Sequence, residues 1–217
     1  MERDAFLSRV GRASLSSVLP APPQVPTDLP ELEPVDLVAA MRVNAQAVNA
    51  VVHSPVSRHG APRAVAAIAA GHNASSFLAW DDLPVSGVAS ALTAAGMERV
   101  DHLVPEGNRR EHNLGYLRVD VGVTGALAGL AESGSLALSH GPGRPRMASL
   151  IPEIHIALLE VDRIARTLAH WAHANPDSAA DTANLVFVTG PSRTGDIEQE
   201  LNLGVHGPRT VHIVIVK

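Results

Sequence analysis

Short apolar runs, each bounded by turn-forming or polar residues, recur along this chain, and the segments between them carry helical spacing. Ser76 to Trp80, Ile154 to Leu159, Leu185 to Val188 and Val211 to Val216 have the length and composition of buried strands. Val100 to Val104 reads the same way. Between them lie Ala-rich stretches. Val35 to Val51 sets Leu37, Met41, Val48 and Val51 near one face. Ala61 to Ala70 stops at Gly71, and Ser86 to Ala95 stops at Gly96. Val161 to His173 aligns Ile164, Leu168 and Trp171. Ser54-Pro55 marks a turn, Asn108 to Leu114 a short polar helix, and Met147 to Ile151 a helical turn. Strands alternating with helices predict an α/β fold with a mostly parallel central sheet flanked by helices.

Two regions depart from that alternation. Val119 to Ser139 is rich in Val, Ala, Leu and Gly and is punctuated by Glu132-Ser133-Gly134. It predicts a tight hairpin with arms at Ala126–Ala131 and Ser135–Ser139. Residues 1–34 read as an arm outside the 35–217 domain. A weakly amphipathic helix over Glu2 to Ser14 precedes a stretch holding Pro20, Pro22, Pro23, Pro26, Pro30 and Pro34, which cannot continue a helix. The arm packs on the domain or on a partner subunit, a second copy included.

Composition narrows the function. The net charge is −5 and only 3% of residues are aromatic, with no basic stripe, which speaks against nucleic-acid binding. Cysteine is absent, so no disulfide, thiol nucleophile or cysteine-held iron–sulfur cluster forms within these residues. The longest apolar stretch, Val121 to Ala131, is too short to span a bilayer, and MERDAFLSRV lacks a secretory h-region. A soluble, cytoplasmic protein is the expectation.

The candidate chemistry lies in four places. After the Leu185–Val188 run, Gly190-Pro191 breaks the strand and Ser192, Arg193 and Thr194 form a polar turn. Asp196 stands at the N-cap position of a helix over Ile197 to Leu203, with Gln199 at capping-box spacing and Gly204 as its C′ residue. Free N–H groups and a positive dipole end at that turn suit an anion; a capped helix with no ligand is the plain alternative. His140 to Arg146 is a Gly/Pro loop in which Gly141, Gly143 and Arg144 suit a carboxylate or phosphate, or else Arg144 and Arg146 answer the acidic excess at the surface. Convergence of this loop with Ser192–Thr194 would bring Glu132 and His206 near one anion. Glu132 is a solvated turn residue or a nucleophile or base held on rigid strands. The histidines are mostly isolated; His170 and His173, one turn apart, suit a helix C-terminus better than a metal. Neither a G-x-G-x-x-G fingerprint nor a Walker A motif is present.

Gly190-Pro191-Ser192-x-Thr194-x-Asp196-Ile197-Glu198, followed by Gly204-Val205-His206-Gly207-Pro208, resembles the C-terminal signature of the LUD domain, found in the lactate-utilization protein C family. Val121–Thr124 with Ala131–Ser135, the Gly141–Arg144 loop and Pro152–Ile156 agree with it. The resemblance covers most of the chain from about residue 40 onward. It implies a fold similar to the ribose-5-phosphate isomerase, glucosamine-6-phosphate deaminase and CoA-transferase group. It also implies a part in oxidising L-lactate to pyruvate beside iron–sulfur partner proteins that carry the clusters, with no cofactor on this chain. The alternative is a stand-alone enzyme acting on an acyl-CoA or a sugar phosphate through Glu132.

Overall fold

The computed structural model describes residues 3–16, 29, 33–102, 116, 119–180, 182–195, 201–204 and 206–217. The chain divides into two compact units, Met1–Glu31 and Leu32–Lys217. In the first, α1 is a helix over Arg3–Ser16. The expected 108–114 helix lies outside the described residues.

The second unit is built on a six-stranded sheet in which every pairing is parallel. Its strands are β1 (Val51–Val56), β2 (Ser76–Ala79), β3 (Glu98–Arg99), β4 (Val121–Gly125), β7 (Ile154–Glu160) and β12 (Thr210–Val216). In space they run β1-β12-β7-β4-β2-β3. The last strand in sequence therefore lies between the first and β7. Alternate residues of β7 serve opposite faces. Ile154, Ile156 and Leu158 pack with α3 (Ala61–Gly71) and α4 (Val88–Ala94). Ala157 and Leu159 pack with α2 (Leu37–Ala47) and a second sheet. Burying each such Leu or Ile contributes about 1.5–3 kcal/mol. The core is thus aliphatic, as the aromatic content required.

That second sheet has the order β8-β5-β6-β9. Its strands β5 (Ala128–Leu130) and β6 (Ser135–His140) are the predicted hairpin, antiparallel with Leu130 opposite Ser135. Gly134 makes the turn at a φ of +67°, and a Cβ there would stand 2.2 Å from the Ala45 nitrogen of α2. The short helix α5 (Met147–Leu150) lies directly on β4, because a Cβ on Gly122 would fall 1.7 Å from the Ala148 carbonyl oxygen.

Several expectations are corrected. The helix expected over Val35 to Val51 is α2 and ends at Ala47, and β1 begins at Val51 and runs through Ser54-Pro55 instead of turning there. Proline is tolerated because β1 is an edge strand, and its register shifts between His53 and Val56. The Val161–His173 helix is replaced by a 3₁₀ turn at Val161–Arg163, strand β8 (Ile164–Ala165) and helix α6 (Leu168–Ala174), which Thr167 caps. Pairing of β8 with Gly129 and Leu130 of β5 overrides the helical periodicity. The Val100–Val104 strand is only Glu98–Arg99 in the described residues, followed by irregular chain. Strand β9 (Asn184–Val188) is half-exposed and antiparallel to β6, not a buried member of the main sheet.

The largest correction falls on the Ile197–Leu203 helix. Residues 193–195 and 201–203 are strands, β10 and β11, paired antiparallel with Arg193 opposite Leu203. Asp196 and residues 197–200 lie outside the described residues. Leu201 and Leu203 alternate around Asn202, a period-two pattern that the capping-box reading overrode.

Candidate functional site

In a parallel sheet the residues just past each strand gather at its carboxyl edge, where open α/β sheets receive ligands. Past β2 come Trp80, Asp81 and Asp82. Past β4 come Ala126 and Leu127. Glu160 ends β7, and Arg163 follows it. Ser139 and the loop after β6 join them. Together Trp80, Asp82, Gly125, Ser139, Arg144, Glu160 and Arg163 line a cleft of about 140 Å³.

Short-range geometry fixes the loop that carries Arg144. The Arg144 N–H donates to the Gly141 carbonyl at 2.9 Å, and the Gly141 N–H donates back at 3.3 Å. The Asp81 N–H donates to the Gly143 carbonyl at 2.9 Å, and the Trp80 indole N–H to the Pro145 carbonyl at 3.2 Å. Gly143 has a φ of +71°. Beneath the loop, His140 is buried and its Nδ1 donates to the Asn184 carbonyl at 3.1 Å. Burial holds the His140 ring below its ordinary pKa, against the pull of that carbonyl, and Arg146 and Arg144 act with burial.

The charges in the cleft are loosely paired. Arg144 Nε lies 3.4 Å from Asp82 Oδ2 without hydrogen-bond alignment, so it is a buried nitrogen without a hydrogen-bond partner. Its Nη1 donates to Ser139 Oγ at 3.4 Å, a long contact. Arg163 Nε stands 3.8 Å from Glu160 Oε2. Glu160 Oε1 is bonded to Arg58, whose Nη1 also donates to the Pro84 carbonyl at 2.9 Å. Pro84 is shared with a broader depression of about 570 Å³ whose walls include Arg58, His59, Pro62 and Ser86. That depression is the larger of the two, but its arginine is already committed to Glu160 and Pro84. The more loosely held guanidiniums, Arg144 and Arg163, line the smaller cleft.

Of the residues singled out in the sequence, Gly141, Gly143 and Arg144 therefore stand at the carboxyl edge. The others do not join them. Ser192 donates its N–H to the Pro208 carbonyl at 2.9 Å and accepts from the Gly204 N–H at 3.0 Å, so the two Gly-Pro turns close on each other ahead of β12. Gly190, at a φ of +75°, packs against the Val48 carbonyl. Arg193 and His206 are exposed, and Thr194 lies in β10. The β6–β9 register puts His140 opposite Asn184 and Leu136 opposite Val188. Gly141–Arg144 and the 190–194 segment thus leave opposite ends of that pair, about 17 Å apart for five residues of strand. The convergence expected of them is not formed, because β9 runs antiparallel to β6. Glu132 is exposed in the hairpin turn, its N–H bonded to the Arg166 carbonyl, beside a separate depression that includes Val35, Asn44 and Thr167. It shares no lining residue with the cleft.

Sequence reasoning missed Asp82, Ser139, Glu160 and Arg163. A usable signal existed: charged residues directly follow the apolar runs, as in Leu78-Ala79-Trp80-Asp81-Asp82 and Leu158-Leu159-Glu160. It also missed a histidine chain. His212 Nδ1 meets His53 Nε2 at 3.0 Å, and its Nε2 meets His72 Nε2 at 2.8 Å. Burial, then His53 and His72, push His212 down to about 4. His155, fully buried against Thr124 at 2.8 Å, is also pushed down to about 4 by burial, with His140 and His212 acting the same way. Among the described residues no group of three or more His, Asp or Glu is arranged to hold a metal ion, and no helix is long and apolar enough to cross a membrane.

A family model described as the LUD domain matches residues 38–216. The chain belongs to the LUD domain family. Proteins named lactate utilization protein C are similar to it. One from Exiguobacterium sp. is 38% identical over 104 residues, 46% of this chain and 45% of that protein. One from Halalkalibacterium halodurans is 33% identical over 154 residues, covering 66% and 64%. One from Geobacillus sp. is 30% identical over 157 residues, covering 69% and 65%. The chain thus aligns with about half to two thirds of the length of these relatives. Among solved structures, a DUF162 family protein from Deinococcus radiodurans superposes with a TM-score of 0.63 at 20% identity. That match covers 85% of this chain and all of the other, and it supports the same α/β fold.

Proposed function

We propose that this LUD-family chain is a component of an L-lactate utilization system, in which L-lactate is oxidised to pyruvate, and that its carboxyl-edge cleft holds a small carboxylate. The observation that carries the reading is the family match over 38–216 together with relatives named lactate utilization protein C. The cleft supports it. Its volume of about 140 Å³ suits a molecule of a few heavy atoms, since a water occupies about 30 Å³. Arg144 and Arg163 offer guanidinium donors, the groups best matched to a carboxylate. Zero cysteines leave any cysteine-held cluster to iron–sulfur partner proteins. This chain's part is then binding and positioning, not electron transfer. The anion site is placed at Arg144 and not at the Ser192–Thr194 turn, because Arg144 lines a cavity and is held only by long contacts to Asp82 and Ser139. The alternative of an acyl-CoA or sugar-phosphate enzyme gains nothing, because Glu132 is exposed and apart from the cleft.

The test is reconstitution with the iron–sulfur partners and measurement of lactate-dependent electron transfer with and without this chain. Rates should fall when it is left out. Arg144→Ala should weaken L-lactate binding by about 1.5–3 kcal/mol, the worth of a charged hydrogen bond. Equal rates with and without the chain would overturn the assignment.

A further inference from the structure

Resting on the reading of the cleft as a carboxylate site, we propose that it selects 2-hydroxy monocarboxylates over their 2-oxo counterparts, with Asp82 and Glu160 as the residues that discriminate. The cleft is not a purely cationic pocket. Of its charged lining residues, Arg144 and Arg163 stand against Asp82 and Glu160, two cations to two carboxylates. A lining without excess positive charge suits a monoanion better than a phosphate dianion.

The two carboxylates also keep accepting capacity. Glu160 uses Oε1 for Arg58, while Oε2 stands 3.8 Å from Arg163, beyond hydrogen-bond length. Asp82 Oδ2 stands 3.4 Å from Arg144 Nε, without alignment. A ligand carboxylate placed on the arginines would set its second carbon among these oxygens. An ionised carboxylate only accepts hydrogen bonds. A 2-hydroxyl on that carbon has a proton to donate to it. A 2-oxo group has none and presents lone pairs to lone pairs, and an unsubstituted carbon leaves the acceptors without a partner. The site is therefore built for the reduced acid and releases the oxidised one.

The experiment is calorimetric titration of the full chain at pH 7 with L-lactate, pyruvate and propionate. L-Lactate should bind about tenfold or more tightly than either, the worth of one charge-assisted hydrogen bond. Asp82→Asn should bring the lactate-to-pyruvate ratio toward one, since an amide can donate to the keto oxygen. Asp82 is exposed, so this variant should fold. Glu160→Gln is the second variant, with its fold checked by circular dichroism. Equal binding of lactate and pyruvate by the wild type, or a ratio unchanged in both variants, would overturn the selectivity and leave the carboxylate site standing. Absence of binding by all three acids would remove the carboxylate reading itself and this inference with it.

Discussion

At the amino edge of the main sheet, Asp120 accepts hydrogen bonds through one oxygen from the N–H and hydroxyl groups of Ser75 and Ser76, at 2.7 to 3.1 Å. At the carboxyl edge Arg99 donates to Asp81 at 2.7 Å, but the Arg144 side chain reaches Asp82 and Ser139 only at 3.4 Å. The histidines repeat the contrast. Those toward the amino edge bond to one another or to Thr124, with His155 Nδ1 alone of their buried nitrogens left over. In the cleft, Arg144 and Arg163 stand 3.4 and 3.8 Å from their carboxylates, and Glu160 is tightly held only by Arg58, from outside it. Polar groups that are satisfied internally hold a structure together. Polar groups left under-satisfied around a cavity are available to a ligand. The amino edge is read as structural on this ground, and the carboxyl edge as the working side.

Substitutions should separate the two edges. The largest effect is expected from Gly122→Ala. The new Cβ would meet a backbone carbonyl 1.7 Å away, which cannot yield without lifting α5 off β4. More than about 3 kcal/mol should be lost in urea unfolding. A variant within about 1 kcal/mol of wild type would show that α5 is not seated there.

Acid should come next. The folded pKa of about 4 for His155 lies below its ordinary 6.5. The unfolded chain therefore binds more protons between those values, and stability is fully present above 6.5 and lost as pH falls toward 4. For His155 alone the loss is on the order of 3 kcal/mol, and His212 acts in the same direction. Burial alone would raise the Asp120 carboxyl, but the bonds from Ser75 and Ser76 outweigh it and hold the pKa below its ordinary value, adding a loss at still lower pH. Thermal unfolding should fall steeply from pH 7 to 4.5, and less steeply in His155→Gln. A flat profile in wild type would break the account.

Asp120→Ala should cost about 2 kcal/mol of stability, since charged hydrogen bonds contribute about 1.5–3 each and this one is partly solvated. Lactate affinity should not change. The mirror-image result is expected at the other edge. Arg144→Ala should shift stability by less than about 0.5 kcal/mol while weakening lactate binding. If Asp120→Ala weakens binding as much as Arg144→Ala does, the two edges do not divide the work.

Much of the fold was legible because periodicity is local. The Val, Ile and Leu runs became β7 and β12, the Gly-punctuated segment became the β5–β6 hairpin, and Ala61–Gly71 became α3. Each of these signals lies within a few neighbours along the chain. Arg144 was also legible, as an arginine on a Gly/Pro loop after a buried strand. Where local signals conflicted, tertiary pairing won. Ile164-Ala165 has helical neighbours but pairs with β5, and Leu201–Leu203 follows a capping box but pairs with β10.

The sequence by itself determined the α/β class, the aliphatic core and the residue types available for an anion. These follow from composition and from spacings of two and 3.6 residues. Only the tertiary structure decided which of those residues share a cavity. Strand order and direction set that, and they depend on partners far apart in the chain. His53 and His212 bond across 159 positions. The antiparallel run of β9 against β6 carries Ser192 away from Arg144, and the parallel order of β2, β4 and β7 brings Asp82 and Glu160 to it.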